Sequence, residues 1–274
     1  MSQHSGGEAA ARVTLRHLRE RVAEGGRFAC LTAYDATFAS LLENAGVEVV
    51  LVGDSLGMVI QGHDTTVPVT VEQMIYHSAC VARGCRRALL MVDMPFLSYA
   101  SPQQAVANAG RLMQEGGAQM VKLEGAAAQV EIVAALSAQG IPVCAHLGLR
   151  PQSVHKAGGF RVQGRDEAAA RQMVEDARLL EQAGADMLLL ECIPSPLAET
   201  ITRGAGVPVI GIGAGPAPHA QVLVLYDLLG ITAGRQPRFV KNYLAGGGPI
   251  QEAVARFVEE VKSGRYPGPE HAFR

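Results

Sequence analysis

The feature that most constrains the fold of this chain is an alternation of short apolar runs with alanine-rich stretches of helical character. Each run has four to eight residues and is almost continuously apolar, which is typical of strands buried on both faces of a parallel sheet. The intervening stretches end at glycines such as Gly46 and Gly184, as helices commonly do. The eight predicted strands lie at residues 28–35, 49–54, 88–93, 120–124, 141–146, 187–191, 207–213 and 222–226.

Eight strand-and-helix units in about 250 residues have the size and count of a closed (β/α)8 TIM barrel. We predict an N-terminal capping helix at residues 15–24, below the barrel. We also predict a disordered arm at residues 1–12, a single catalytic barrel domain at 13–264 and a C-terminal tail at 265–274. An open doubly wound sheet is the alternative, but no dinucleotide-binding glycine motif follows the first strand.

Composition excludes several classes of function. A formal net charge of −2 provides no basic surface for nucleic acid or for an acidic membrane. The N-terminal residues contain no apolar signal-peptide core, and no apolar run is long enough to span a bilayer. Five scattered cysteines without a C-x-x-C motif predict a reducing cytoplasm and no structural zinc. Cys192 could be a nucleophile, although packing is the favoured interpretation.

Ionisable residues stand at or near the ends of six predicted strands. In a TIM barrel the carboxyl ends of the strands converge on one mouth, so we expect these side chains to meet there. A helix cap is the alternative for any one of them, because Asp favours that position. The six residues are Asp35, Asp54, Asp93, Glu124, His146 and Glu191.

Three of these carboxylates, Asp54, Asp93 and Glu124, come from consecutive strands. Like charges brought close together repel or take up protons unless a cation lies among them. Carboxylate oxygens are hard ligands, which favours Mg²⁺ over Zn²⁺ or Co²⁺. The alternative is a carboxylate network held by Arg and Lys side chains.

Other polar residues near the mouth suggest further roles. Lys122 shares a strand face with Glu124 and could hold an anionic substrate or form a Schiff base, the non-covalent role being favoured. His146 could donate to substrate or to a carboxylate, or be a core residue, whereas Glu191 is suited to act as a general base. The glycine-rich stretch 211–215 could cradle phosphate or let the backbone approach a ligand closely, and we favour the second.

A set of short motifs resembles the ketopantoate hydroxymethyltransferase family. Each motif is weakly specific alone, but together they span residues 31–241 in order. The motifs are Leu31-Thr-Ala-Tyr-Asp35, Val52-Gly-Asp-Ser-Leu-Gly-Met58, Pro68-Val-Thr70, Met74-Ile-Tyr-His77, Asp93-Met-Pro-Phe96, Val121-Lys-Leu-Glu-Gly125, His146-Leu-Gly-Leu-Arg-Pro-Gln152, Glu191-Cys-Ile-Pro194, Gly211-Ile-Gly-Ala-Gly215 and Pro237-Arg-Phe-Val-Lys241.

The resemblance implies a Mg²⁺-dependent step of pantothenate biosynthesis on a (β/α)8 barrel. In that step a hydroxymethyl group passes from 5,10-methylenetetrahydrofolate to 3-methyl-2-oxobutanoate (α-ketoisovalerate), giving ketopantoate. A cytoplasmic homodecamer is implied as well. The segment 215–221 and Tyr226 depart from the patterns usual in the family, and both lie in the eighth unit, away from the implied metal positions.

The resemblance also assigns roles to individual residues. Asp54, Asp93 and Glu124 match the metal ligands. Asp54, Ser55, Asp93 and Lys122 match the positions that contact the ketoacid, and His146 matches a motif position to which we assign a supporting role in substrate binding. Glu191 matches the proton acceptor.

Two other functions remain open on the sequence. One is a lyase or mutase of the phosphoenolpyruvate mutase and isocitrate lyase type, although the Lys-Lys-Cys-Gly-His loop common in those enzymes is absent here. The other is a ligand-binding barrel that has lost activity, which the retention of the three carboxylates, Lys122 and Glu191 argues against.

Overall fold

The computed structural model describes residues 11–234 and 236–274, so most of the predicted arm lies outside the described residues. Eight parallel strands close into one barrel in sequence order, which confirms the predicted TIM barrel. The strands are β1 (Phe28–Thr32), β2 (Val49–Val52), β3 (Leu89–Asp93), β4 (Met120–Glu124), β5 (Val143–Gly148), β6 (Met187–Glu191), β7 (Val209–Ile212) and β8 (Ala220–Leu223).

Helices follow the strands and surround the barrel. Their N-termini are capped as the sequence suggests: Thr70 and Gln73 form a reciprocal capping box, and the Ser101 hydroxyl accepts from the Gln104 N–H before a first-turn proline. The helices are α1 (Leu15–Ala23), α2 (Ala36–Asn44), α3 (Leu56–Val59), α4 (Val71–Gly84), α5 (Pro102–Gln114), α6 (Val130–Ala138), α7 (Val154–Ala157), α8 (Glu167–Gln182), α9 (Ser195–Gly204), α10 (Leu225–Leu228) and α11 (Ile250–Lys262).

The first strand is shorter than predicted and ends at Thr32. Asp35, expected at the mouth with the other ionisable residues, instead caps α2, its carboxylate accepting the Phe38 N–H at 2.9 Å. The prediction was therefore wrong for Asp35, because an aspartate before a helix satisfies one of its free N–H groups.

The last strand also differs from the prediction of residues 222–226. It begins at Ala220, which pairs with Phe28 and closes the barrel, and it ends at Leu223. The polar Gln221 concealed the start of the strand, yet it is buried, with its amide donating to the Gly215 carbonyl at 3.1 Å. Tyr226 belongs to α10 rather than to the strand.

The helix α1 lies across the N-terminal end of the barrel, as predicted. Its Leu18 is buried, and its Arg21 lies 3.2 Å from the buried carboxylate of Glu48, just before β2. The same carboxylate accepts from Lys262 of α11 at 2.6 Å and from the Ala29 N–H of β1 at 3.0 Å. One buried acidic group thus ties both terminal helices to the barrel.

A second buried carboxylate, that of Glu43 on α2, joins the helix layer to the strands. Its oxygens accept the backbone N–H groups of Arg86, Arg87 and Ala88, immediately before β3. Burial opposes the charge of Glu43, but these N–H donors outweigh it and lower its pKa. The interaction ties the residues just before β3 to α2.

The residues after α11 pack back against the barrel. Tyr266 is buried and donates to the Phe239 carbonyl at 2.6 Å, and Phe273 packs on the core. The division into arm, barrel domain and tail stays a prediction. Among the described residues, no helix has the length and apolarity to cross a membrane.

Candidate active site

The carboxyl ends of β2 to β6 bring five of the six predicted ionisable residues together. In the ladders of the barrel, Asp93 pairs with Lys122, Glu124 pairs with His146, and Gly148 pairs with Glu191. The side chain of Glu191 is 16% exposed to solvent, whereas the side chains of Asp93, Glu124 and His146 are nearly inaccessible. Glu191 is thus the most accessible of these groups and borders the buried remainder.

Lys122 and two aspartates form the centre of the cluster. Nζ of Lys122 donates to Oδ1 of Asp93 at 2.5 Å, and both side chains are buried. The backbone N–H of Asp54 donates to Oδ2 of Asp93 at 3.0 Å, so both oxygens of Asp93 are engaged. The predicted non-covalent role of Lys122 fits this geometry, because its ammonium is already ion-paired.

Burial and mutual repulsion change the proton affinities of this cluster. Burial, helped by the charge of Asp93, raises the pKa of Asp54 to about 7. Burial and the neighbouring Asp54 likewise raise the pKa of Glu124 well above its usual range. Burial opposes the charge of Lys122, but the surrounding carboxylates outweigh that effect and raise its pKa. One ammonium therefore faces more acidic groups than it can neutralise.

Gln152 is a member of the cluster that the sequence analysis did not single out. It lies in the 3₁₀ turn after β5, and its side-chain amide donates to Oδ2 of Asp54 at 2.8 Å. Its backbone N–H donates to Oε2 of Glu124 at 3.1 Å, and the Tyr99 hydroxyl donates to its Oε1. Its place at the end of the His146-to-Gln152 motif was the only sequence signal for it.

His146 connects Glu124 with Glu191. Its Nε2 lies 3.2 Å from Oε2 of Glu191 and its Nδ1 lies 3.8 Å from Oε1 of Glu124, yet neither nitrogen makes a well-aligned hydrogen bond among the described residues. Burial lowers the pKa of His146 and keeps the ring neutral. A neutral imidazole beside Glu191 can orient that carboxylate without neutralising it.

The backbone around Glu191 is held by close packing. The Glu191 carbonyl accepts from the Leu149 N–H at 2.8 Å. Gly148 has a φ of +98°, and a Cβ there would lie 2.2 Å from the same carbonyl oxygen, so only glycine fits. Cys192 follows with a φ of +48°, a strained backbone conformation for a residue with a side chain. Burial raises the pKa of the Cys192 thiol, which argues against the nucleophile alternative.

Ser55 lies beside the cluster and is bonded to a second residue missed by the sequence analysis. Its hydroxyl is 2.9 Å from the Tyr34 hydroxyl, and burial raises the pKa of that phenol. The Tyr34 carbonyl in turn is 2.8 Å from Nδ1 of His77 on α4. The motifs that include Tyr34, Ser55 and His77 therefore meet in space.

The glycine-rich stretch 211–215 serves packing. A Cβ at Gly213 would lie 2.8 Å from the Phe239 ring and 3.1 Å from the Phe273 ring. A Cβ at Gly215 would lie 2.3 Å from the Ser195 hydroxyl. The close neighbours of Gly213 and Gly215 are therefore side chains of the chain itself, and the favoured close approach of the backbone to a ligand stays a prediction.

The donor set fits Mg²⁺ in its chemistry. Among residues 11–234 and 236–274, no group of three or more His, Cys, Asp or Glu side chains is arranged to hold a metal ion by itself. Mg²⁺ commonly takes one or two carboxylates and completes its shell with waters and substrate oxygens. The excess of buried carboxylates over Lys122 suits such a hard cation, and the ligand set of Asp54, Asp93 and Glu124 stays a prediction.

Comparisons with known proteins match this chain over most of its length. The family model described as ketopantoate hydroxymethyltransferase matches residues 12–269. A protein of Alkalilimnicola ehrlichii named 3-methyl-2-oxobutanoate hydroxymethyltransferase is 59% identical over 261 residues, covering 95% of this chain and 94% of that protein. A protein of the same name from Halorhodospira halophila is 54% identical over 271 residues, covering 99% and 97%.

Solved structures with similar folds are distant in sequence. A phosphoenolpyruvate phosphomutase of Streptomyces platensis has a TM-score of 0.62 at 15% identity, covering 92% of this chain and 98% of its own. A protein of Burkholderia cenocepacia described as a putative phosphonomutase has a TM-score of 0.62 at 16% identity, covering 79% and 95%. At this identity the likeness shows the barrel fold alone, so the lyase or mutase alternative gains no support from it.

Proposed function

The chain belongs to the ketopantoate hydroxymethyltransferase family, a family of transferases, and from that premise we propose its reaction in detail. The chain transfers a hydroxymethyl group from 5,10-methylenetetrahydrofolate to 3-methyl-2-oxobutanoate, forms ketopantoate for pantothenate biosynthesis, and requires Mg²⁺. The observation that carries the proposal is the buried cluster of Asp54, Asp93 and Glu124 around Lys122, with the accessible Glu191 at its border.

The acidic residues of the cluster divide into two roles. Asp54, Asp93 and Glu124 would hold Mg²⁺, which supplies positive charge beside the carboxylate and keto oxygens of the ketoacid when bound. Glu191 takes the proton from C3 of the ketoacid, since it is the most accessible acidic group and His146 lies 3.2 Å from it. Glu191 is more accessible than the three predicted metal ligands. This difference suits the chemistry, because a general base must reach the substrate carbon while the metal ligands stay buried.

Lys122 and Ser55 bind the ketoacid. The ammonium of Lys122 offsets the negative charge that moves onto the ketoacid oxygens as the C3–H bond breaks. The Ser55 hydroxyl, held by Tyr34, can donate to the substrate carboxylate. His146 supports Glu191 and the substrate from a buried, neutral ring.

The proposed reaction breaks and forms bonds in both substrates. The C3–H bond of the ketoacid breaks and its proton goes to Glu191, and C3 then forms a bond to the methylene carbon of the folate. That carbon starts with bonds to two folate nitrogens: one breaks as C3 attacks, and the other breaks as water supplies the hydroxyl group. The proton held by Glu191 and one proton of the water are left on the two nitrogens. The products are ketopantoate and tetrahydrofolate.

The predicted assembly and location belong to the same proposal. We expect a homodecamer of the 28.9 kDa chain, working in the cytoplasm on small-molecule substrates. Light scattering coupled to size exclusion would measure the assembly directly, and a monomer at micromolar concentration would contradict it.

The direct test supplies 3-methyl-2-oxobutanoate and 5,10-methylenetetrahydrofolate to the purified chain, with Mg²⁺ or with EDTA. We expect ketopantoate, detected by mass spectrometry, with Mg²⁺ and a large loss of product with EDTA. Absence of ketopantoate under both conditions would refute the reaction, and equal product with EDTA would refute the metal requirement. Cleavage of 2-methylisocitrate by the same protein would favour the lyase alternative.

A further inference from the structure

Gln152 forms hydrogen bonds with two of the three predicted metal ligands, Asp54 and Glu124. It is 5% exposed and lies in the 3₁₀ turn between β5 and α7, directly after Pro151. Its partners come from distant parts of the chain: Asp54 is 98 residues away and Glu124 is 28 residues away. A residue in the turn after β5 therefore bonds to the carboxylates of Asp54, just after β2, and Glu124, at the end of β4.

The hydrogen bonds of the Gln152 side chain fix how its amide is oriented. The amide nitrogen donates to Oδ2 of Asp54 at 2.8 Å and to the Met94 carbonyl at 2.9 Å, and both partners are acceptors. Its oxygen accepts from the Tyr99 hydroxyl, which itself receives the Glu124 N–H at 3.3 Å. The amide nitrogen faces two acceptors and the amide oxygen faces a donor, so these bonds fix the orientation of the side chain.

Gln152 bonds to one oxygen of the Asp54 carboxylate and to one oxygen of the Glu124 carboxylate. Oδ2 of Asp54 and Oε2 of Glu124 are bonded to the side chain and the backbone of Gln152. The other two oxygens, Oδ1 of Asp54 and Oε1 of Glu124, have no hydrogen-bond donor among residues 11–234 and 236–274. One oxygen of each group is thus held by the protein, and one is left for a ligand.

We propose that Gln152 is a positioning residue that aims the free oxygens of Asp54 and Glu124 at a divalent cation. The inference rests on the proposed function and deepens it, because it names the residue that arranges two of the three predicted ligands. An amide suits the task, since it donates to a carboxylate without adding negative charge to a site that already holds three acidic side chains.

The Mn²⁺ affinity of the chain without substrates, measured by electron paramagnetic resonance, tests this positioning role. Gln152→Met keeps the volume of the side chain and removes its polar atoms. We expect the Mn²⁺ dissociation constant to rise at least about tenfold, as is usual when a residue that orients metal ligands is replaced. Tyr99→Phe removes the donor to Oε1 of Gln152 and the acceptor of the Glu124 N–H, but it leaves both bonds from Gln152 to the carboxylates in place, so we expect a smaller rise in the same direction.

Gln119→Met is the matched control. Gln119 lies at the opposite end of the barrel, where its side chain accepts the Leu90 N–H at 3.0 Å. This variant also loses a glutamine hydrogen bond, and we expect lower thermal stability with Mn²⁺ affinity unchanged. A parallel loss of affinity in Gln119→Met would show that general destabilisation moves the readout and would overturn the positioning role.

The outcomes separate the inference from the proposed function. Unchanged Mn²⁺ affinity in folded Gln152→Met, with a wild-type chain that binds Mn²⁺ and makes ketopantoate, overturns the positioning role alone. If Gln152→Met does not fold, unchanged affinity in Tyr99→Phe overturns it. A wild-type chain that binds no Mn²⁺ and turns over in EDTA refutes the metal requirement of the proposed function and the inference with it.

Discussion

Replacing Lys122 by methionine tests whether its ammonium stabilises the fold by compensating the charge of the buried acidic cluster. Methionine keeps the unbranched shape but removes the ammonium that lies 2.5 Å from Asp93, in a pair whose side chains are 6% and 4% exposed. Removing one partner of a buried ion pair destabilises a protein by about 3–5 kcal/mol, because the other charge stays buried and unpaired. Asp54 adds further negative charge once the pH exceeds about 7, the value to which burial and the charge of Asp93 raise its pKa.

The lower stability of Lys122→Met should appear as a lower melting temperature in EDTA. For a domain of this size, 1 kcal/mol shifts the melting temperature by roughly 2–4 °C, so we expect a fall on the order of 10 °C by differential scanning fluorimetry. Excess Mg²⁺ should restore part of it, since a ligand at a hundredfold its dissociation constant stabilises the folded chain by about 2.7 kcal/mol. The Mg²⁺-induced rise should exceed that of the wild type, because Oδ1 of Asp93 is freed.

The pH dependence of the variant has a definite sign. Burial raises the pKa of Asp54 from 3.8 to about 7, so the folded chain binds this proton more tightly than the unfolded chain does. The stability from this group is fully present below pH 3.8 and is lost as the pH rises through about 7. The loss caused by Lys122→Met should therefore be smaller at pH 5 than at pH 8.

A second lysine gives the control for this experiment. Lys241 lies 2.7 Å from Glu260, but the two side chains are 39% and 20% exposed. Lys241→Met should cost less than about 1 kcal/mol, because solvent screens such a pair. Equal melting temperatures for Lys122→Met and the wild type in EDTA at pH 8, or equal losses for the two lysine variants, would refute the reasoning.

Three further substitutions test separate parts of the account. Glu191→Gln should retain ketoacid binding but lose exchange of the C3 proton with deuterated solvent by at least about a hundredfold, and undiminished exchange by NMR would remove Glu191 from the role of base. Asp93→Ala should weaken Mg²⁺ and ketoacid binding together in calorimetry, and an unaltered metal titration would break the ligand assignment. Glu43→Ala should lower the unfolding free energy by about 2 kcal/mol or more in urea titrations, because three backbone N–H groups lose their acceptor, while a neutral result would show that water replaces it.

The sequence was sufficient for the barrel because its periodicity follows from burial. Strands covered on both faces are apolar along their whole length, so the alternation with helices was visible without any contact being known. Two of the misplaced strand ends have local causes. Asp35 is polar at the end of an apolar run but is used as a helix cap, and Gln221 is polar within a strand that buries it.

The candidate site was predictable in part for a similar reason. Asp93, Glu124 and Glu191 end their strands, and the geometry of a barrel alone brings strand ends together. Gln152 and Tyr99 could not be predicted in that way, because each lies in a loop and bonds to Glu124 on another strand, Gln152 to its carboxylate and Tyr99 to its backbone N–H. Nothing in the periodicity of a sequence fixes the path of a loop, so the contacts that organise the carboxylates emerged only in three dimensions.

A crystal structure of the chain with Mn²⁺ and 3-methyl-2-oxobutanoate would show whether the acidic cluster holds the cation and the ketoacid together. We expect an anomalous peak within coordination distance, about 2.0–2.3 Å, of oxygens from Asp54, Asp93 or Glu124, with the ketoacid oxygens completing the shell. A peak bound only to residues outside this cluster, or a ketoacid seated away from Lys122 and Glu191, would contradict it.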